Sequence, residues 1–358
     1  MKIFVDIGHP GHVHYFKNFI RIMTDNEHQV AVIARDRDVI NTLLSCYRIP
    51  FYSRGKGKDS FAGKLMYMLY ADLLIYRKAV KFKPDLFISF SSPYAAQVSK
   101  LLRIPHLTLN DTEHTDSVHK VITYPFSEVI ITPYSYQNNL GKKQIRLKSI
   151  IEFSYLHPEL FTPDSSIYDT LGVKKNEKYV VLRFVSWNAF HDANQSGLSL
   201  DQKRQLISIL EKDYRIFISS EKNIEPEFKK YTMDIPPERI HDALAYCSLF
   251  VGESGTMASE SALLGVPSVY INSLPLMCYL KTQQDFGILK HFTNGNNTVE
   301  YVESILKNEN PKKEAQRNRD LMIKDFVNPT NFLVWFVENW PESKQVIQNN
   351  PSYQDRFK

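Results

Sequence analysis

Cysteine is almost missing from this chain: three residues in 358, Cys46, Cys247 and Cys278, without C-x-x-C spacing. That excludes a disulfide framework and a thiolate zinc site, and leaves all three as expected small core residues. Long apolar runs are lacking too. None approaches the ~18 residues of a membrane span, and Met1-Lys2-Ile3-Phe4-Val5-Asp6 enters a strand with no signal-peptide core, so the expected compartment is the cytoplasm. Excess charge is small. The net charge is +5 and the pI near 8.8, too weak and dispersed for nucleic acid but suited to an anionic small substrate or membrane surface. Internal repeats and low-complexity tracts are absent. Glycine is scarce, 13 residues where average usage would give about 25, so places where two glycines fall close together are informative.

What is present is an ordinary globular composition, 43% hydrophobic and 13% aromatic, in a chain long enough for two cores. Short apolar runs alternate with amphipathic stretches: strands are predicted at 2–6, 29–34, 86–90, 106–109 and 129–132, and helices at 13–23, 39–46 and 61–82. Runs apolar throughout belong to strands covered on both faces, which predicts a doubly wound parallel sheet. After Gly172 a second series follows, with strands at 179–184, 215–219, 249–251 and 268–271 and helices at 201–212, 242–246 and 299–307. The expected fold is α/β, two Rossmann-like doubly wound parallel-sheet domains facing a cleft. Their expected limits are 1–153 and 154–325, with a helix and tail at 326–358 packing back on the N-terminal domain. Phe332, Trp335, Phe336 and Trp340 give that helix an apolar stripe, while the polar last residues are expected to fray.

The most informative motif is Gly252-Glu253-Ser254-Gly255-Thr256-Met257-Ala258-Ser259-Glu260, between two apolar strands. Ser254 or Thr256 can cap the intervening helix, Gly255 lets backbone pass close to a ligand, and Gly265 with Pro267 ends the helix. The free N–H groups at its start favour an anion by about 0.3–1 kcal/mol. Glu260, one turn on, could accept hydrogen bonds from ribose hydroxyls. Phosphate and ribose together make a nucleotide; the alternative is a purely structural turn with an exposed Glu260. Arg183, at the end of the strand 179–184, could meet a pyrophosphate, or else form an inter-strand ion pair. Ser219-Ser220-Glu221 ends the next strand and could contact the base.

In the first half, Gly8-His9-Pro10-Gly11-His12-Val13-His14 follows the first strand. Gly8 and Gly11 permit close approach, and His12 is a candidate general base or hydrogen-bond partner, or else the cap of the following helix. Ser91, and then Asn110-Asp111-Thr112-Glu113, end two further strands, where an open α/β sheet binds ligand. Asp111 or Glu113 could serve as base or anchor an acceptor hydroxyl. His9, His12 and His14 with Asp111, Glu113 or His114 also allow a metal reading, but the acids lie on another element and no metal is assigned. Residues 54–83 hold eight basic and two acidic residues around an apolar helix. That combination suggests an anionic membrane and a lipid-linked acceptor, or a buried crossover helix with a solvated basic rim.

These residues resemble the GT-B glycosyltransferase superfamily, and within it the lipid-intermediate GlcNAc transferase MurG and the UDP-GlcNAc 2-epimerases. The nearest likeness is to a prokaryotic GT-B-like family known only as a domain of unknown function, typified by Gly8-His9-Pro10-x-His12 and Tyr155-Leu156-His157-Pro158. The glycine loop ending at Gly11-His12 is similar to MurG's Gly-Gly-His loop, and Asn110–Glu113 stands where that family has an acceptor-side polar loop. Ser254-Gly255-Thr256 through Glu260 matches its Ser-Gly-Ala…Glu motif, implying diphosphate at the helix start and ribose at Glu260. Gln283-Gln284 corresponds to a glutamine pair that touches donor sugar. MurG's glycine-rich run is thinned here to Gly8 and Gly11, and its second glycine loop is replaced by Arg183-Phe184-Val185-Ser186.

The resemblance implies a metal-independent, inverting glycosyltransferase with no cofactor, a nucleotide-sugar as its donor substrate, and a lipid-linked or glycan acceptor met at the cytoplasmic face of a membrane. His12, or else Asp111 or Glu113, would take the acceptor proton; Arg183 and the helix at Ser254 would stabilise the leaving diphosphate. The competing expectations are a nucleotide-sugar 2-epimerase or hydrolase on the same scaffold, a histidine-based metal-dependent deacetylase, and a non-catalytic nucleotide-sugar binder.

Overall fold

The computed structural model describes the chain except for residues 59, 176, 186–196 and 221–223. It divides into two compact units, Met1–Leu160 with Phe326–Lys358, and Phe161–Asp325. The first contains β1 (Lys2–Ile7), α1 (Pro10–Asp25), β2 (Gln29–Ala34), α2 (Asp38–Cys46), β3 (Phe51–Ser53), α3 (Phe61–Phe82), β4 (Leu86–Phe90), α4 (Pro93–Leu102), β5 (His106–Leu109), α5 (Asp116–Ile122), β6 (Val129–Pro133), β7 (Gln144–Leu147) and α6 (Phe153–Leu156). The second contains α7 (Ile167–Leu171), β8 (Tyr179–Phe184), α8 (Leu200–Leu210), β9 (Arg215–Ser220), α9 (Ile240–Tyr246), β10 (Phe250–Gly252), α10 (Gly255–Leu263), β11 (Ser268–Ile271), α11 (Cys278–Asp285), β12 (Leu289–Phe292), α12 (Thr298–Lys307) and α13 (Pro311–Asp325). The chain then returns to the first unit as α14 (Pro329–Glu338) and α15 (Glu342–Asn349).

Every paired strand runs parallel, in the order β3-β2-β1-β4-β5-β6-β7 in one sheet and β12-β11-β10-β8-β9 in the other. This is the doubly wound α/β architecture expected of two-sided apolar strands. Phe4, Ile33 and Phe87 are buried beneath Ile75 and Ala79 of α3 and Ala95 and Val98 of α4. In the second unit Val180, Leu182, Val251 and Val269 pack against Leu206 and Leu210 of α8. The strand order reverses between β1 and β4 in one sheet and between β8 and β10 in the other. Crossovers leave in opposite directions at such points, opening a crevice at the carboxyl ends of the strands.

The structure differs from expectation at the sheet edges, in the tail and at one cysteine. The strands β3, β7 and β12 carry no continuous apolar signal, and all three lie at sheet edges, where one side of the strand need not be buried. The tail does not fray. Residues Pro351–Phe357 form a 3₁₀ segment in which the Gln354 side chain accepts the Lys148 N–H at 2.6 Å and the Phe357 carbonyl accepts the Asn328 N–H at 2.7 Å. The buried Gln354 side chain thus ties the tail to backbone groups of β7 and its exit, while Ser352, Asp355 and Arg356 face water. Cys247 and Cys278 are buried as expected, but Cys46 is exposed, because it lies on the outer side of α2.

Helix α10 ends as its composition requires, with Gly265 in the left-handed region at φ 76°. Gly252 is demanded by packing. A Cβ there would lie 2.7 Å from Arg183 Cβ and 2.9 Å from the Arg183 carbonyl oxygen, across the pair that joins β10 to β8. Gly252→Ala is expected to destabilise the fold by about 1–3 kcal/mol, the usual cost of overpacking, read as a lowered midpoint in urea denaturation.

Candidate functional site

In the second unit the residues flanking the reversal point converge. Arg183 near the end of β8 is in register with Gly252 of β10 on one side and Ser219 of β9 on the other. Its side chain is buried, and Nη1 donates to Ser219 Oγ at 2.9 Å. Ser219 Oγ in turn lies 4.0 Å from Met257 Sδ in the first turn of α10. A fixed guanidinium thus stands beside the start of a nine-residue helix, whose dipole and free N–H groups carry the same sign. Ser254 caps that helix, with its side chain 3.5 Å from the Met257 N–H, and Ser254, Gly255 and Thr256 are half-buried. Gly255 has a packing role as well, since a Cβ would meet Leu280 at 3.3 Å and the Tyr270 hydroxyl at 3.4 Å.

Glu260 is not on an exposed face. It is buried one turn deeper, with Oε1 at 2.9 Å from Nε2 of the equally buried His241 on α9. Gln283 is buried with Nε2 donating to Ser259 Oγ at 2.5 Å, while the Gln284 amide oxygen accepts the His291 N–H at 3.0 Å. These two glutamines therefore brace α10 and β12. Glu221 and residues 186–196 lie outside the described residues.

Glu253 was not anticipated. Its carboxylate, 2% exposed, accepts the N–H of Val185 at 2.7 Å and of Leu198 at 2.8 Å, tying the end of β8 to the approach to α8. The available signal was an acid directly after an apolar strand.

In the first unit the reversal point is built on a buried ion pair, which was also missed. Asp6 is fully buried near the end of β1, takes Arg54 Nε at 2.9 Å, and accepts the Ser92 hydroxyl. Arg54 Nη1 donates to the Tyr67 hydroxyl at 2.8 Å, and the guanidinium lies 4.7 Å from the centroid of the Tyr94 ring. Burial opposes the Arg54 charge, but Asp6 and the two tyrosines raise its pKa above the ordinary value. Asp6 was legible as the one acid in β1, among buried apolar residues, a position that requires a partner.

The glycine loop sits over this pair. The Gly8 N–H donates to His12 Nδ1 at 3.3 Å, and a Cβ on Gly8 would lie 3.1 Å from Arg54 Nη2. Helix α1 begins at Pro10, earlier than the apolar periodicity suggests, and its cap is His9, whose Nδ1 accepts the Gly11 N–H at 3.1 Å. His12 therefore sits in the first turn, against Phe90 with ring centroids 4.8 Å apart. Burial, then His9, then Arg54 hold its pKa well below the ordinary value. With Nδ1 accepting a backbone proton, the neutral ring carries its own proton on Nε2 and presents a donor there. His14 stacks on Tyr155, and among the described residues no group of three His, Cys, Asp or Glu side chains is arranged to hold a metal.

Ser91 follows β4 in the left-handed region, φ 50°, held by its N–H to Thr108 Oγ1 at 3.0 Å and its hydroxyl to the Leu109 carbonyl at 3.1 Å. Asn110 is buried; its amide donates to the hydroxyls of Tyr124 at 2.7 Å and Tyr136 at 2.9 Å, both of which donate to Asp116 at 2.6 Å. That network fixes the loop in which Asp111 and Glu113 stand. Asp111 is buried and accepts the Thr112 hydroxyl at 2.7 Å. Burial, reinforced by the nearby Glu113, pushes its carboxyl up to about 6 despite the Thr112 bond. Asp111 follows β5, two strands from β1, so the strand ends bearing Asp111 and the His12 loop are about 10 Å apart across the sheet.

Residues 1–331 match the family described as "Protein of unknown function (DUF354)". The chain belongs to DUF354. A curated relative of this DUF354 chain is the uncharacterized protein MJ0665 of Methanocaldococcus jannaschii, 24% identical, covering 92% of this chain and 98% of the relative. The fold is that of GT-B enzymes. The S. aureus MnaA–UDP co-structure is similar at a TM-score of 0.69 and 10% identity, covering 96% of this chain and 97% of that one. UDP-GlcNAc 2-epimerase from Neisseria meningitidis bound to UDP-GlcNAc gives 0.66 at 14% identity, covering 94% and 100%. Spinosyn rhamnosyltransferase SpnG complexed with spinosyn aglycone gives 0.61 at 14% identity, covering 95% and 100%.

The raised Asp111 pKa makes the stability of this DUF354 protein depend on pH. Between the unfolded value, about 4, and the folded value, about 6, the native state binds more protons than the unfolded one, so stability falls as pH rises through that window. Asp111→Asn is expected to lack this fall: its melting temperature should gain on wild type from pH 4 to 6 and run parallel above, in thermal melts across buffers.

Proposed function

We propose that the chain acts on a nucleotide-sugar, as a metal-independent inverting glycosyltransferase that delivers the sugar to an acceptor hydroxyl in the synthesis of surface polysaccharide or glycoconjugate. The observation carrying this reading is the convergence of Arg183, Ser219 and the start of α10 at one sheet reversal point. A fixed cation beside a helix N-terminus is complementary to a diphosphate, and more so when the sugar leaves and the diphosphate gains charge. Glu260, held by His241, is the proposed ribose contact.

In the proposed step the acceptor oxygen bonds to the anomeric carbon as the bond from that carbon to the phosphate oxygen breaks. The acceptor proton passes to a carboxylate, and the electron pair leaves with the nucleoside diphosphate. Asp111 suits the proton-accepting role, being ionised at neutral pH with a pKa of about 6. His12 is assigned a different role from the base first considered: its neutral ring, donating from Nε2, would hydrogen-bond an oxygen on donor or acceptor.

The 2-epimerase or hydrolase reading is supported by a second observation, the two neighbouring acids Asp111 and Glu113 with one carboxyl raised by burial. Acid and base chemistry on the donor sugar needs such a pair and no acceptor.

Arg183→Ala is expected to weaken binding of UDP or another nucleoside diphosphate by at least tenfold, about 1.4 kcal/mol, in isothermal calorimetry. Equal affinity of wild type and variant for every nucleoside diphosphate would remove the nucleotide assignment. Incubation with UDP-GlcNAc alone, followed by NMR, is expected to leave the donor intact; an epimer or free sugar would replace transfer with the second reading.

A further inference from the structure

Helix α3 is apolar on two opposite faces. Tyr67, Ala71, Ile75 and Ala79 are buried, with Ile75 and Ala79 against the sheet and α4. The other face carries Met66 (72% exposed), Leu69 (65%), Tyr70 (52%), Leu73 (46%) and Tyr76 (38%) at spacings of three and four. Leu101 of α4, 69% exposed, continues the same apolar surface. An open furrow of about 410 Å³ between the two helices is lined by Leu73, Tyr76, Val98 and Leu101, with Asp72 and Gln97 as its polar members. A helix exposed to water normally presents charge on its outer side, so a second apolar stripe needs a covering surface.

The charges interleaved with this stripe say what that surface is. Arg77 and Lys81 are exposed on α3, with Lys83 just beyond it. Lys78 lies 4.1 Å from the centroid of the half-exposed Tyr52 ring. The single acid of the helix is Asp72, half-buried, whose carboxyl is pushed up to about 7 by burial and by the Asp6 charge, against the pull of Arg54. Two copies of such a face would bring like charges together. Apolar and aromatic side chains flanked by lysine and arginine, with a single half-buried acid on the helix, complement a surface that is apolar within and anionic at its rim.

We infer that the outer face of α3, with Leu101 of α4, docks this protein in the plane of an anionic lipid bilayer. Met66, Leu69, Leu73 and Leu101 enter the headgroup boundary, the tyrosines sit at its polar level, and Arg77 and Lys81 meet lipid phosphates. Among the described residues no helix is long and apolar enough to cross a membrane, so the helix lies on the bilayer. The inference stands apart from the nucleotide-sugar reading, and its test needs no nucleotide.

The test is co-sedimentation of the full chain with phosphatidylcholine vesicles, with and without about 30% phosphatidylglycerol. The expected result is binding to the anionic vesicles only, weakened when salt rises from about 0.1 to 0.5 M. Met66→Ser/Leu69→Ser and, separately, Arg77→Glu/Lys81→Glu should each reduce partitioning about tenfold, with the circular-dichroism melt unchanged because all four side chains are exposed. Failure to bind anionic vesicles, equal binding to neutral ones, or undiminished binding by both variants would overturn the inference. So would a dimer in light scattering that the Met66→Ser/Leu69→Ser change dissociates, which would make a second copy the covering surface.

Discussion

Parallel strands cannot be joined by tight turns; each needs a crossover over one face of the sheet, and each crossover has the same hand. A sheet that grows first one way and then the other therefore leaves one place where two crossovers diverge. This chain has two such places, at β1/β4 and at β8/β10, and its charged side chains at strand ends collect there. Asp6, the His12 loop and Ser92 surround the first; Arg183, Ser219, Glu253 and the start of α10 surround the second. The site chemistry follows from strand order before any residue is considered.

Burial then decides what each group can do. Arg54 keeps its charge beside the end of β1 because Asp6 pairs with it, with Ser92, Tyr67 and Tyr94 completing the cluster. His12 sits beside that guanidinium and is driven neutral; the Gly8 N–H then fixes which nitrogen bears the proton. Burial, with Glu113 nearby, raises the carboxyl of Asp111 instead. Asn110, Tyr124 and Tyr136 gather on Asp116 and hold the loop that carries it. Two carboxylates and one imidazole at the ends of β1 and β5, two strands apart, thus have different surroundings.

Much of the fold was legible from the apolar pattern. The strands at 29–34, 86–90, 106–109, 179–184 and 268–271 and the helix at 61–82 run over the residues that their hydrophobicity marks, because strands covered on both faces must be apolar throughout. Edge strands escaped notice, as did the anchored tail, whose contacts run through Gln354 and Phe357 to residues far away in sequence. The start of α1 was misjudged because its cap is an imidazole, outside the usual set of capping side chains.

The sequence by itself determined that the chain is an α/β protein with two series of parallel strands, and that glycines, histidines and acids stand where strands end. Local periodicity and turn chemistry suffice for that, since they act over a few residues. Only the tertiary structure decided that Arg54 comes back to Asp6, that Glu260 faces His241, that Gln283 braces α10, and which face of α3 is left in water. Each of those depends on which strands become neighbours and on how much solvent remains around a group, and both are properties of the packed sheet.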